Sequence, residues 1–245
     1  MKHLYRSLLA TSLAVAGAPP PAISTAQSYH PLGAGWLWNY VSAADGQQMM
    51  TIAGERIVFG VPTKVRHQQE ETQIYENFWT EDASGNLFVH GAVNYTFGAG
   101  WYFSPPLQMV ASPLFAGRSW TTHAVRGYDL DGTPWTGDPF EYPMCVFTEC
   151  VLEVPGGLFY SYGVGLDTGG PSLRMLNGRA FDLLGRCVDA SEAAKGSATN
   201  WYAENVGMVK MNPFASETRA FLLVASGPPV GVVPETWGRV KAAFR

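Results

Sequence analysis

The chain alternates apolar and polar residues over most of its length, and turn-forming residues interrupt the alternation at short intervals. In GWLWNYV, residues 35–41, the side chains of Trp36, Trp38 and Tyr40 fall on one side of an extended chain. A period of two is typical of antiparallel strands that bury one face. The pattern predicts an all-β fold with minor α content, built as a single antiparallel, strongly curved sheet or half-open barrel.

Turn residues place the hairpins of this sheet. YENFWTE and NLFVHGA flank DASG at 82–85, and a second Asp-Gly turn is expected at 131–132. Two strands are expected around 53–54, and PGG at 155–157 separates two more. Helical periodicity is scarce, so these turns define most of the expected architecture.

Three prolines, Pro105, Pro106 and Pro113, interrupt an apolar stretch in the middle of the chain. Proline lacks the N–H that a central strand needs for its ladder of hydrogen bonds. We therefore expect a loop that passes all three prolines, followed by a strand at 119–125.

The segment WYAENVGMVKM, residues 201–211, is predicted to be scaffold, because it holds neither a nucleophile nor an acid/base pair. Asn205 tolerates a left-handed backbone and suits a turn or bulge before a strand. Gly207 would let a neighbouring chain or aromatic ring lie close.

The first 26 residues predict a secretory signal peptide. A basic start precedes an apolar run at 8–18, and small residues follow up to Ala26, where cleavage is expected. The apolar run is shorter than the roughly 20 residues of a spanning helix, and no later run is longer. We therefore expect export through a cleaved signal peptide to the periplasm or the exterior, without a transmembrane segment.

The rest of the chain divides into a single antiparallel β domain, residues 27–226, and a C-terminal tail, residues 227–245. The tail is interpreted as a Pro/Gly linker and a short amphipathic helix. Trp237, Val240 and Phe244 would share one face of that helix.

Composition narrows the classes of partner. Charged residues make up 15% of the chain, and the formal net charge is −4. Without a cluster of Lys and Arg, the chain lacks the positive surface that a phosphate backbone requires, so nucleic acid is not an expected partner.

The three cysteines, Cys145, Cys150 and Cys187, are an odd number for an oxidising compartment and suggest one disulfide and one thiol. On one straight strand, Cys145 and Cys150 would be about 16 Å apart, too far for the roughly 7 Å between Cα atoms that a disulfide allows. Either a tight turn separates these two residues, or one of them pairs with Cys187.

Five motifs in order carry a resemblance to a family: YHPLGAGWLWNY, ENFWTEDASGNLFVHG, FSPPLQMV with GRSW, VPGGLFYSYGV and WYAENVGMVKM. Together they resemble a loose family of exported bacterial β-rich proteins of unknown function, over residues 29–226. The resemblance implies a curved antiparallel sheet, distantly similar to the half-barrels of the lipoprotein carriers LolA and LolB. It implies no catalytic residues.

Candidate catalytic and metal-binding groups are weak. The paired acids Glu70 with Glu71, Asp129 with Asp131, and Asp138 with Glu141 could in principle serve a hydrolase. The Asp-containing turns at 82–86 and 129–132 lack the late Glu of a calcium loop. His67, His90 and His123 form no metal-binding motif. We therefore expect no catalytic residues, no metal site and no cofactor.

Aromatic residues are the strongest compositional excess, at 13% of the chain with eight Trp. In a curved sheet they either fill the core or line an apolar pocket. The candidate ligand-binding residues, which cluster around the Pro-rich segment, are Trp79, Trp101, Phe103, Trp120 and Trp135.

The favoured function is that of a non-enzymatic exported β protein that binds a lipid or another apolar, envelope-derived ligand. The alternative is a structural or interaction module of the cell surface whose partner is an envelope protein. A small hydrolase with paired acids is the third hypothesis. Rings that pack against one another would leave no volume for a ligand and would favour the interaction module.

Overall fold

The computed structural model describes residues 27–166, 199–212 and 219–228, and the backbone of three short strands between 167 and 198. All regular elements of this described part are β-strands, apart from a single 3₁₀ residue at Arg219. The strands are β1 (Leu37–Ser42), β2 (Gly46–Val58), β3 (Val61–Glu70), β4 (Ile74–Glu81), β5 (Leu87–Asn94), β6 (Ala99–Val110), β7 (Ser119–Asp129), β8 (Phe140–Val154), β9 (Gly157–Leu166), β10 (Leu173–Leu176), β11 (Arg179–Asp182), β12 (Cys187–Val188), β13 (Thr199–Ala203), β14 (Gly207–Asn212) and β15 (Phe221–Gly227).

The sheet is a closed antiparallel barrel. Around its circumference the strand order is β1-β15-β14-β13-β9-β8-β7-β6-β5-β4-β3-β2, and β1 pairs with both β2 and β15. The strands β10, β11 and β12 form a separate three-stranded sheet. The predicted all-β antiparallel fold is confirmed. The sheet curves until its two edges pair, so the barrel is closed and not half-open.

A single apolar cluster fills the barrel. Strands β8 and β9 lie half a circumference from β2 and β3, and side chains from both halves belong to this cluster. Trp38, Trp79, Trp101, Tyr202 and Phe221 are among its largest members, each at most 2% exposed. Since apolar burial is the main stabilising term of folding, this core holds the barrel together.

Residues 27–35 enter one end of the barrel before β1 begins. Tyr29 and His30 are buried there, and the His30 ring stacks on Trp38 at 4.5 Å between centroids. The amide of Asn205, in the turn between β13 and β14, donates to the carbonyl of Ser28. The N-terminal segment therefore forms part of the core.

The hairpin β2–β3 turns later than the sequence indicated. The expected turn at 53–54 is a β-bulge between Ile52 and Gly54, and the chain turns at Phe59 and Gly60, both with positive φ. An isolated Gly in an alternating pattern is compatible with either a turn or a bulge, which explains the error.

The far end of this hairpin covers the outer face of the sheet. Val58 packs with Phe78 and Tyr102 in a second apolar cluster, and the Phe59 ring lies edge-on to Tyr102 at 5.7 Å. The guanidinium of Arg56 lies over the Phe78 ring at 4.9 Å. This outer cluster is separate from the barrel core.

The prediction of a loop through Pro105 and Pro106 was wrong, because both lie within β6. On the β5 side, Tyr102 pairs with Gly91 and Leu107 pairs with Val89, so residues 103–106 bulge away from β5. The two prolines need no ladder partner in this bulge, which is how the strand accommodates them. Pro113 does lie in a loop, and β7 begins at Ser119 as predicted.

Strand β8 runs without a turn through Cys145 and Cys150. These two thiols are therefore not bonded to each other, and no disulfide is present among the described residues. The side chain of Cys187 lies outside the described residues. The predicted disulfide is thus not supported.

The segment 201–211 lies in the barrel wall, where it forms part of β13, a turn and most of β14. Its turn at 204–206 has Asn205 at φ 59°, and β14 then begins at Gly207. A Cβ on Gly207 would lie 2.8 Å from Nε1 of Trp38 and 3.1 Å from Nδ1 of His30. The expected close approach of an aromatic ring to Gly207 is therefore confirmed.

Two further expectations fall outside the described residues. They are the signal peptide 1–26 and the C-terminal helix within 227–245. Among described residues, no helix is long and apolar enough to span a membrane.

Replacing Gly207 with Ala should destabilise the protein by about 3 kcal/mol, since the new methyl group meets two packed rings in a strained backbone conformation. Gly60→Ala is the matched control, because Gly60 also has positive φ but no atom lies within 4 Å of the position that its Cβ would take. The control should lose about 1 kcal/mol from backbone strain alone. Urea denaturation of both variants measures the difference, and equal losses would contradict the packing at Gly207.

Candidate functional site

One side of the barrel interior is polar. Neighbouring strands β2 to β5 direct a group of buried polar side chains inward, which we call the polar wall. Its members are Gln48, Arg66, Gln68, Glu70, Tyr75, Asn77 and Asn94. The opposite side, on β8 and β9, is lined by apolar residues of the core cluster: Tyr142, Met144, Val146, Val164 and Leu166.

The carboxylate of Glu70 organises the part of the polar wall that is nearest the rim cavity described below. Oε1 of Glu70 accepts hydrogen bonds from Nε2 of Gln48 at 2.6 Å and from the Tyr75 hydroxyl at 2.7 Å. Because a carboxylate oxygen accepts only, this contact fixes the Gln48 amide with its nitrogen towards Glu70 and its oxygen turned away.

The buried guanidinium of Arg66 organises the part of the polar wall that is nearest His30. Arg66 donates to Oδ1 of Asn77 at 2.8 Å, contacts Nε2 of His30 at 3.3 Å and lies over the Trp79 ring at 4.4 Å. Arginine has no acceptor, so Nε2 of His30 accepts and the proton of the neutral ring resides on Nδ1.

Some polar atoms of this interior have no hydrogen-bond partner in the described part of the chain. Two are acceptors, Oε1 of Gln48 and Oε1 of Gln68, and two are donors, Nδ1 of His30 and Nε1 of Trp79. Leaving a buried polar atom unsatisfied costs about 1–3 kcal/mol. A hydroxyl group or a water that bonds to one of these four atoms would therefore remove that cost and stabilise the complex.

Burial also controls the protonation of this region. Burial, and next the positive charge of Arg66, lower the pKa of His30 well below its ordinary value, which keeps the ring neutral. Burial raises the pKa of Tyr202 to about 12 and raises that of Tyr40, so both hydroxyls stay protonated. The interior therefore offers neutral donors and acceptors beside the charges of Arg66 and Glu70.

A polar cavity of about 190 Å³ lies at the rim of the barrel, next to the polar wall. It is lined by Ala44, Asp45, Glu70, Glu71, Thr72, Gln73 and Arg219. Arg219 donates two hydrogen bonds to the Asp45 carboxylate, at 3.0 and 3.2 Å. Glu70 belongs to both the cavity and the polar wall, and its carboxylate accepts from Gln48 inside the barrel.

The predicted aromatic candidates contribute to the core cluster. Trp79, Trp101 and Phe103 are buried, and Trp120 and Trp135 pack against the cluster from partly buried positions. The Trp135 ring lies 6.4 Å from Trp101 and 5.9 Å from Phe103. Four of the five lie on β6, on β7 or on the chain that follows β7, and Trp79 lies beside Arg66 on the polar side. Their role in ligand binding stays a prediction.

The acidic candidates at the two Asp-containing turns accept hydrogen bonds from groups nearby in sequence. Asp129 accepts from Nε1 of Trp135, and Asp131 accepts from the Thr133 amide. Asp82 accepts from the amides of Ser84 and Asn86, as the predicted turn requires. Glu70 and Glu71 reach the rim cavity together.

The three histidines singled out in the sequence do not meet. His67 contacts Glu76, His90 contacts Thr80, and His123 contacts Glu141. In the described ranges no three His, Cys, Asp or Glu side chains are placed to hold a metal ion.

The sequence did not single out the polar wall. On β3, the inward residues Arg66 and Gln68 alternate with His67 and Gln69, so both faces of the strand are polar in sequence. An alternating pattern cannot assign faces when both are polar. A usable signal was the absence of any apolar residue from 66 to 73, inside a chain that otherwise alternates.

Comparison with known proteins gives distant structural neighbours. No family model and no curated protein matches the chain. A Bacteroides fragilis protein that is taken to be exported, with a YmcC-like fold, is 11% identical, with a TM-score of 0.40 over 82% of this chain and 99% of its own. A Parabacteroides distasonis protein that is taken to be a lipoprotein is 12% identical, with a TM-score of 0.28 over the same shares. The motif-based resemblance to a family of exported β-rich proteins stays a prediction, and so does the distant similarity to LolA and LolB that it implies.

The stability of the barrel should depend on pH through two histidines. The pKa of His30 is well below 6.5, and burial lowers the pKa of His90 to about 4. The unfolded chain therefore binds protons that the folded chain does not, and the free energy of unfolding should fall as the pH decreases from 6.5 to about 4. His90→Gln should make this decline shallower in urea denaturation at successive pH values. An unchanged slope would contradict the burial of the His90 ring.

Proposed function

We propose that this chain is a non-enzymatic exported protein that binds an amphipathic, envelope-derived ligand inside the barrel. The supporting observation is the group of buried polar atoms whose hydrogen bonds are unmet within the described residues, Oε1 of Gln48, Oε1 of Gln68 and Nε1 of Trp79. They lie on one side of an interior whose other side is apolar. A ligand with one polar end and one apolar end complements both sides.

The chemistry of the unmet atoms defines the polar end of the ligand. The two Gln oxygens require donors, and the Trp79 indole requires an acceptor. A hydroxyl group supplies both functions, so a head group that carries several hydroxyls fits the polar wall. The neutral state of His30 is compatible with such an uncharged group.

The rim cavity supports a route to this wall. Its lining is mostly polar and includes Glu70, which is bonded to Gln48 within the barrel. A volume of about 190 Å³ is below the roughly 300–1,000 Å³ of typical ligand pockets. Binding of the apolar end therefore requires that the packed rings of the core separate.

A second function, an interaction module of the cell surface, is favoured by the close packing of Trp101, Phe103, Trp120 and Trp135, which we call the aromatic band. Trp135 packs against Trp101, Phe103 and Phe140, which leaves the band filled by its own rings. Large apolar side chains are exposed instead on the hairpins, with Ile57 at 72% and Leu158 at 69%. A protein partner would use those surfaces.

The hydrolase hypothesis receives no comparable support. Asp129 accepts from the indole of Trp135, and Asp131 is held ionised because the Thr133 amide and hydroxyl lower its pKa. The expectation of no catalytic residue stays a prediction.

Native mass spectrometry of the protein purified from its own envelope tests the ligand proposal. The wild type should carry an added mass, identified after extraction as an amphipathic molecule with several hydroxyls. Gln68→Leu should lower the bound fraction about tenfold, which corresponds to the loss of about one hydrogen bond. Its free energy of unfolding should stay within about 1 kcal/mol of the wild type, because the lost oxygen has no partner among the described residues.

Gln69→Leu is the matched control, because Gln69 is the exposed neighbour of Gln68 and points to the other face of β3. It should leave the bound fraction unchanged. A wild-type mass equal to that of the polypeptide alone would overturn the proposal and favour the interaction module. Equal losses in both variants would show that the polar wall is not the binding surface.

A further inference from the structure

The hairpin β8–β9 presents an apolar patch to solvent. Val151 pairs with Tyr160, and Glu153 pairs with Leu158, so these four side chains share one face of the hairpin. Val151 is 63% exposed, Leu158 69% and Tyr160 54%. Three large apolar side chains at such exposure form a surface that a partner would cover.

The opposite face of the hairpin is anchored on the barrel. Val154 and Ser161 are buried there, and Leu152 and Phe159 pack against the core cluster. At the hairpin end, the Gly156 amide donates to the carbonyl of Leu223 in β15. The patch is therefore held in a fixed position next to the strand from which the C-terminal tail leaves.

Acidic residues accompany the patch. Glu149 and Glu153 lie on the same face as Val151, and both are exposed. Glu149 also accepts a hydrogen bond from the Ala116 amide, which fixes its position. The patch thus combines apolar side chains with negative charge.

The chain beyond Pro228 has the complementary chemistry. Residues 229–245 contain Arg239, Lys241 and Arg245 against one acidic residue, Glu235. Trp237, Val240 and Phe244 recur at the spacing of one helical face. An apolar face flanked by positive charge fits an apolar patch flanked by carboxylates.

The tail is long enough to reach the patch. Leu223, which contacts the hairpin end, is four residues before Gly227, or about 13 Å along a strand, and Val151 is five residues from Gly156, or about 17 Å. The nine residues 228–236 span up to about 30 Å when extended. The linker can therefore carry Trp237 to Val151 or Leu158 without moving the barrel.

We propose that residues 237–245 dock on the outer face of the β8–β9 hairpin, with Trp237 and Phe244 on Val151, Leu158 and Tyr160 and the basic side chains beside Glu149 and Glu153. A docked tail is always present at high effective concentration, because it is joined to the neighbouring strand. This favours the tail over a second copy of the chain or a membrane surface. The argument for this docking does not rest on ligand binding in the barrel.

Photocrosslinking of the exported, full-length protein tests the docking. A benzophenone amino acid placed at position 158 should crosslink to residues 237–245 of the same chain, as identified by peptide mass spectrometry. Position 57 is the matched control, because Ile57 is 72% exposed and Leu158 69%. A mixture of isotopically light and heavy protein distinguishes crosslinks within one chain from those between copies.

Reversing the charge of the patch is the second test of the docking. Glu149→Lys combined with Glu153→Lys should lower the crosslink yield about threefold to tenfold at low salt, whereas Glu55→Lys on β2 should leave it unchanged. Unchanged thermal unfolding of each variant shows that the barrel is intact. Crosslinks between light and heavy chains, crosslinks to lipid, equal yields from positions 57 and 158, or no crosslink from position 158 would each overturn the proposal.

Discussion

Closure of the sheet by the pairing of β1 with β15 is the constraint on which the rest of the structure depends. Once both edges are paired, every inward side chain is enclosed, whatever its polarity. Strands β2 to β5 therefore bury Arg66, Gln68 and Glu70 in the same interior as Trp101. An open sheet could leave those polar groups in water. Closure instead requires them to find partners within the barrel, which the Glu70 and Arg66 networks provide in part.

The N-terminal segment shows how the same constraint extends beyond the strands. His30 lies in the end of the barrel, where it stacks on Trp38. Its Nε2 accepts a hydrogen bond from Arg66, so a residue outside the sheet bonds to a charged group inside it. The cost is a histidine that must remain neutral and a Gly207 that must remain without a side chain. These residues are coupled through direct contact, so a change at one should alter the others in a non-additive way.

Sequence patterns identified what depends on local chemistry. The Asp82 turn, the positive φ of Asn205 and the close approach at Gly207 follow from properties of single residue types, and the structure has all three. Features set by long-range pairing were missed: the bulge that admits Pro105 depends on the offset between β5 and β6, and closure depends on β1 meeting β15. The polar wall was missed for the same reason, because only closure decides which polar face of β3 is buried.

The number of paired residues differs between neighbouring strands of the barrel, and this difference affects where a ligand could enter. Among the residues that the structure describes, β14 and β15 are paired only through Lys210 with Leu222 and Met211 with Phe221, whereas β2 and β3 are paired along ten positions. Local opening favours the place with the fewest ladder bonds. We call this short β14–β15 pairing the seam. The β8–β9 hairpin contacts it, because the Gly156 amide donates to the carbonyl of Leu223 in β15. A tail held on that hairpin would stabilise the seam from outside, so the strength of the exterior contact and the ease of interior access would be physically linked.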